Sequence, residues 1–377
     1  MTDTIASLKA RYASIDADAL PLPAHVTTPM GGWSFLSEKN LAGIKSGGTH
    51  SLSYDVPEGM TVTRFCDLTP EDLNLVKERL MTLVPPNDRL AARHLKGLSD
   101  GVLIRVARPM FKPLFLRHAL AGDAAFHTLI LLEPGSQARI VEEFTGEGNA
   151  SHITETFLAK NSHLVHAAVQ EVAGTFVSQK ASSVARDATV DWFEIAANDG
   201  LTFSRIRASL DDEHATASIT TAYLGDGGCR MDVGARADHH APRGSSSLLT
   251  KGVLADEAKA IYEGTLAIDR DAAKSKAFQQ EHCLLLGEDA EVKASPMLYI
   301  DNNDVTCSHA ATAGWPDAER LFYLMARGLT ERDARKLLVT SFVWPVVEAV
   351  PKHTRELIAP VAERAFKRFV NRGTDHG

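Results

Sequence analysis

Cys229-Arg-Met-Asp-Val-Gly-Ala-Arg-Ala-Asp-His239 sets Cys229, Met231, Val233, Ala235, Ala237 and His239 in strict alternation with Arg230, Asp232, Gly234, Arg236 and Asp238. Strand side chains point to opposite faces in turn, whereas an amphipathic helix repeats its apolar residues three and four apart. The stretch therefore reads as a β-strand with one face turned inward, and it places His239 inside and His240 outside.

The same texture runs outward from this strand, from about Val102 to His309. Short apolar or alternating runs are separated at fairly even intervals by turn residues: Pro134-Gly135, Gly146-Glu-Gly148, Asn198-Asp-Gly200, Asp211-Asp212, Gly225-Asp-Gly-Gly228, Gly287-Glu-Asp289 and Asp301-Asn-Asn-Asp304. No helical period persists. Strands of this length and number suit a sandwich, a barrel or a stacked solenoid, and weak self-similarity leaves the three open.

Both ends read differently. Thr69 caps a helix with Pro70 at its first position, and Leu73, Val76, Leu80 and Leu83 recur at helical spacing until Pro85-Pro86. Between Pro21 and Gly48, abundant Pro, Gly, Ser and Thr predict a long surface segment anchored by Trp33. After Thr312 the chain turns helical: Asp317 to Arg327 carries Leu321, Leu324 and Met325 on one side and stops at Gly328. Thr330-Glu-Arg-Asp333 has the capping-box pattern. Beyond Pro351 a last helix carries a broad apolar stripe (Leu357, Ile358, Val361, Ala362, Ala365, Phe366, Phe369, Val370), with Arg364, Lys367 and Arg368 on its other side. We divide the chain into an N-terminal mixed and helical region (1–100), a β core (101–312) and a C-terminal helical domain (313–377).

Composition narrows the function classes. The 377 residues carry 48 acidic and 40 basic side chains, a formal charge of -8, which argues against a nucleic-acid-binding surface over the whole protein. Cys66, Cys229, Cys283 and Cys307 lie far apart and form no CxxC pair, so neither a zinc ribbon nor a disulfide framework is indicated. The first residues lack the apolar run of a signal peptide and no run of about 18 apolar residues occurs, so the expected setting is the cytoplasm, with no membrane partner. The phosphate loop, the dinucleotide fingerprint, HExxH and GxSxG are all absent, so this chain is expected to bind and hydrolyse no nucleotide itself.

What remains is Cys307, His309 and the pair His239-His240. If Val305 to Ala310 is extended, Val305, Cys307 and His309 share one face, and a thiol beside an imidazole suits a soft metal or sulfur chemistry. His239 is an additional candidate ligand. The plainer readings are a hydrogen-bonded core histidine for His239 and a small buried apolar residue for Cys307, and Cys229 and Cys283 fit the latter better still.

Two segments together resemble the SufB/SufD family of iron-sulfur cluster assembly proteins. One is His239-His240-Ala-Pro242-Arg-Gly-Ser-Ser-Ser-Leu-Leu-Thr-Lys251-Gly252-Val253-Leu254, followed by Tyr262-Glu-Gly-Thr and Gln279-Gln280. The other is Cys307-Ser308-His309-Ala310-Ala311-Thr312 with Leu321-Phe-Tyr-Leu-Met-Ala-Arg-Gly-Leu329. The resemblance spans roughly residues 100 to 345 and, given the length and sparse cysteines, is closer to SufD than to SufB.

The resemblance implies a mainly β chain, a right-handed parallel β-helix flanked by helical ends. It implies pairing edge to edge with a SufB-like β-helix or with itself, a SufC-like ATPase held by the C-terminal helices, and sulfur from a cysteine desulfurase system. His309 matches a SufD histidine implicated in forming the nascent cluster at the subunit interface, and Cys307 matches the position of the essential SufB cysteine. A transient iron-sulfur cluster or iron at that interface is the implied cargo. The chain departs from the family at Ala310, commonly Gly in SufD and Glu in SufB, and at Arg243-Gly244, usually Asn-Thr. Two other readings stand beside this one: a SufB-like homodimeric scaffold and, from another class, a β-helix enzyme acting on carbohydrate.

Overall fold

The computed structural model describes residues 2–23, 35–37 and 48–372, so Trp33 and most of the segment around it lie outside the described residues. A short helix α1 (Thr2–Ala10) precedes strands β1 (Thr49–Asp55) and β2 (Met60–Arg64) and helices α2 (Pro70–Arg79) and α3 (Arg89–Gly97). Then follow β3 (Leu98–Val106), β4 (Leu114–Ala121), β5 (Ala124–Leu132), β6 (Gln137–Glu147), β7 (Ala150–Leu158), β8 (His163–Val184), β9 (Thr189–Ala196), β10 (Asp199–Leu210) and β11 (Thr216–Gly225). The series ends with β12 (Arg230–His239), β13 (Ser245–Leu254), β14 (Lys259–Ile268), β15 (Lys276–Leu285), β16 (Glu291–Ile300) and β17 (Thr306–Gly314).

Strands pair in parallel with a neighbour one coil away. One ladder runs β3, β5, β7, second half of β8, β10, β12, β14, β16. The other runs β4, β6, first half of β8, β9, β11, β13, β15, β17. Successive coils therefore stack into a parallel β-helix of about eight turns. At its N-terminal end β1 and β2 add antiparallel to β4 and β3.

The corners explain how so many parallel strands follow one another with so little loop. Gly148, Gly174 and Gly200, 26 residues apart, stack at one corner with φ of +132°, +123° and +129°. A Cβ built on Gly174 would lie 2.4 Å from the carbonyl oxygen of Gly148, so side chains are barred by contact as well as by backbone angle. The opposite corner carries one left-handed residue per coil: Gly135, Asn161, Asp187, His214, Arg243 and Lys274.

The alternating stretch is β12, and its inward residues are buried as read, His239 among them. Half of the lumen is apolar, filled by residues such as Trp192, Ile206, Leu210, Ala235, Leu248 and Leu266. The other half is polar. There His118, His152 and His166 face the Glu142 carboxylate, and Lys180 pairs with Glu194, which also accepts hydrogen bonds from Gln170 and Ser204.

Helices cover both outer faces. α1, α2 and α3 pack Leu8, Val76, Leu80 and Leu95 on Leu103, Leu129 and Ile153. α2 ends at Arg79, not at Pro85-Pro86: Met81 turns left-handed, and Glu155, buried on β7, accepts the N–H groups of Met81, Leu83 and Val84. Three N–H groups on one carboxylate outweigh a further turn of helix. Past the strands lie α4 (Ala318–Ala326), α5 (Glu331–Glu348) and α6 (Lys352–Arg372). Asp317 and Thr330 cap α4 and α5, and Gly328 takes φ +96° beyond α4. The stripe of α6 packs on α5 and on Val141, Val165 and Val169 of the β-helix, each buried side chain contributing about 1.5–3 kcal/mol. Arg364 and Arg368 do not simply face solvent; both reach Glu171, and Arg364 also reaches Glu143, pinning the helix to the sheet.

Candidate functional site

The last coil is built from β16 and β17, and each pairs on one side only: β16 with β14, β17 with β15. Their outer edges, 10 and 9 residues long, carry no strand partner among the described residues. Pro296 sits in β16, where an edge strand tolerates a residue with no N–H to give.

Along β17 the residues Cys307, His309, Ala311 and Ala313 stack on Ala277, Gln279, Glu281 and Cys283 of β15, all four buried. The period-two reading thus puts Cys307 and His309 on the lumenal row of the final coil. Cys307 is half-buried and packs, with Val305 and Leu298, against the apolar half of the lumen. Burial raises its thiol pKa, which a backbone hydrogen bond at Ala277 partly opposes. His309 is exposed at the mouth of the helix. The two side chains are neighbours on one face, one anchored in the core rim and one free to meet whatever approaches.

His239 is not part of this arrangement. It is fully buried on β12, and its Nε2 is 2.8 Å from Ser246 Oγ. Ser246, Ala277 and Cys307 are consecutive rungs, so His239 lies two coils inside the mouth. A Cβ on Gly244 would lie 2.8 Å from His239 Nδ1, so the glycine of Arg243-Gly244 makes room for the buried ring. Arg243 itself occupies the left-handed corner position at φ 60°, where asparagine is at ease, and holds its side chain on Glu213.

Sequence reasoning did not find the polar group one coil below the mouth. Gln279, Glu281 and Cys283 point inward from β15, facing Tyr223 and Tyr262. The Tyr223 hydroxyl donates to Glu281 Oε1 at 2.9 Å, and its ring fills the space that Gly252 leaves. Burial pushes the Glu281 carboxyl up to about 7, against the pull of the Tyr223 hydrogen bond. Burial likewise drives the Cys283 thiol up to about 12, which makes it unreactive. The signal for these residues was the alternation of Ala277 to Cys283, whose phase is fixed only by the ladder. Among the described residues no group of three or more His, Cys, Asp or Glu side chains is arranged to hold a metal ion. Cys307 and His309 bring one thiol and one imidazole together on this face.

On the far side, α4 leaves Phe322 73% and Tyr323 57% exposed, with Met325 beside them. A groove between α5 and α6, lined by Leu337, Trp344, Phe366 and Val370, adds apolar surface. No described helix is long and apolar enough to cross a membrane.

Comparison with known proteins agrees with this architecture. Residues 118–342 match the family described as SUF system FeS cluster assembly, SufBD core domain. The chain is 30% identical over 335 residues to the iron-sulfur cluster assembly protein SufD of Bacillus subtilis, covering 84% of this chain and 76% of that protein. It is 27% identical over 269 residues to SufD of Escherichia coli, covering 67% of this chain and 63% of that protein. With a stacked parallel β-helix, a matching core and these relatives, the chain belongs to the SufBD family of SUF-system iron-sulfur cluster assembly proteins and is most like SufD.

Proposed function

We propose that this chain is the SufD-like partner in a cluster-assembling complex, joining a SufB-like β-helix through its open end and holding a SufC-like ATPase on α4, α5 and α6. The observation that carries the reading is the final coil: two long unpaired edges beside Cys307 and His309. A long edge strand invites another chain unless charges or bulges blunt it, and β17 contains no Lys, Arg, Asp or Glu. A second β-helix laid on that edge would continue both ladders and enclose Cys307 and His309.

Ligation of iron by Cys307 requires loss of the thiol proton, which burial disfavours. A thiol and an imidazole from one chain therefore hold iron or a nascent cluster weakly, and donors from the partner complete the set. Such a site forms when the ends meet and releases its cargo when they part. The exposed apolar face of α4 suits a partner whose movement on ATP binding is passed to the mouth, and sulfur would come from a cysteine desulfurase system. The cytoplasm is the setting this chemistry calls for.

The test is co-expression with SufB-like and SufC-like proteins, followed by anaerobic reconstitution and visible absorption. His309→Ala is expected to leave the complex assembled and cut cluster yield to a small fraction. Equal yields from an intact complex would remove the ligand role and leave a structural partner.

A further inference from the structure

The coil below the mouth contains polar groups with nothing to bond. Gln279 is 1% exposed, yet neither its amide nitrogen nor its oxygen has a hydrogen-bond partner among the described residues, and Glu281 Oε2 is equally unpartnered. A hydrogen bond that pairs a buried polar group removes a cost of about 1–3 kcal/mol, so the Gln279 amide gains by any donor or acceptor within its reach. Gly264 makes the space: a Cβ there would lie 2.0 Å from Gln279 Nε2 and 2.6 Å from the Tyr262 hydroxyl.

Gln279 is also the rung directly beneath His309, one strand spacing of about 4.8 Å away on the same lumenal face. The His309 ring makes no hydrogen bond with any described residue. Glu281 is the poorer neighbour, because it lies under Ala311 and is already tied to Tyr223. We propose that Gln279 is a positioning residue for His309: its carboxamide, unpartnered where it rests against Gly264 one coil deeper, swings up to the mouth and accepts the N–H of one ring nitrogen, leaving the other bare.

The chemistry is general. A histidine that binds metal nearly always donates its second ring N–H to an oxygen, which fixes the tautomer and aims the free nitrogen. Gln279 Oε1 is a neutral acceptor that keeps this role whatever the charge of the cargo. Its use in ligation rests on the reading of His309 given above; the contact itself does not.

Two measurements separate these. Ring nitrogen shifts of His309, in protein labelled at histidine and assigned with His309→Ala, report the tautomer in the full chain. Wild type is expected to hold one tautomer, Gln279→Met to show a mixture, and Gln279→Glu to restore the single form through a carboxylate oxygen. A mixed population in wild type, or a Gln279→Met protein with native circular dichroism and an unchanged tautomer, overturns the proposal. Cobalt(II) titration of the assembled complex should then show about 10–100-fold weaker binding for Gln279→Met, recovered in Gln279→Glu. If wild type and His309→Ala bind cobalt alike while the tautomer still depends on position 279, the ligand role fails and the Gln279 contact stands.

Discussion

His239 is kept neutral by its surroundings: burial lowers its pKa to about 4, His240 adds to the effect and Asp238 opposes it. Its folded-state pKa lies below the ordinary 6.5, so between those values the unfolded chain binds the proton better. The stabilisation is complete above about pH 6.5 and is lost as pH falls through about 4, amounting to roughly 3 kcal/mol for this single group. Urea unfolding midpoints from pH 8 to 4 should therefore fall less steeply for His239→Gln, which can keep the bond to Ser246, than for wild type; identical slopes would show that His239 does not carry the effect. That Cys307 and His309 share one face was legible because both lie in phase on one short strand. Gln279 and Glu281 were hidden because nothing in the sequence says that polar side chains, rather than apolar ones, occupy the inward phase of β15. The same holds for Lys180 and Glu194, an ion pair inside the lumen that alternation would have assigned to the surface.

At the scale of single elements, the caps at Thr69 and Thr330 were read correctly because capping is local chemistry. The end of α2 was not, since Glu155, more than seventy residues away, decides it. The coil repeat escaped notice for a related reason. Its left-handed corner is filled in turn by Gly135, Asn161, Asp187, His214, Arg243 and Lys274, a series with one geometry and no common side chain. Glycine's part at the tighter corner is testable. Gly174→Ala should lower unfolding stability by about 2–3 kcal/mol, because both φ and the Gly148 carbonyl oppose a Cβ. Gly135→Ala, at φ +73° with nothing within 4 Å, should cost only about 1–2 kcal/mol. Equal losses in chemical denaturation would mean that the stacked carbonyl is not the constraint.

The molecule as a whole behaves as a stack in which each coil leans on its neighbours, so stability should decline toward a coil that has only one. In hydrogen exchange the amides of β16 and β17 should open first and those of β10 to β13 last, and addition of a β-helix partner should protect β16 and β17 selectively. Uniform protection in the free chain, or none gained in the complex, would contradict the open-edge description. A mainly β fold was evident from the first strand considered; the choice of a β-helix over a sandwich or barrel came from family resemblance, because stacking is a relation between coils that a single strand does not express.

The spacing of the left-handed corner residues has a consequence for polymerisation. It is 26 residues from Gly135 to Asn161 and again to Asp187, then 27, 29 and 31 by Lys274, and the added residues fall in the turns. The outline of the stack therefore broadens toward its C-terminal end, and a late coil does not match an early one in contour. Head-to-tail growth, the route by which open-ended stacks become fibres, would have to join unlike outlines at every step. Two broad ends do match, and a junction between those consumes both, while at the narrow end β1 and β2 already lie antiparallel on the first coil.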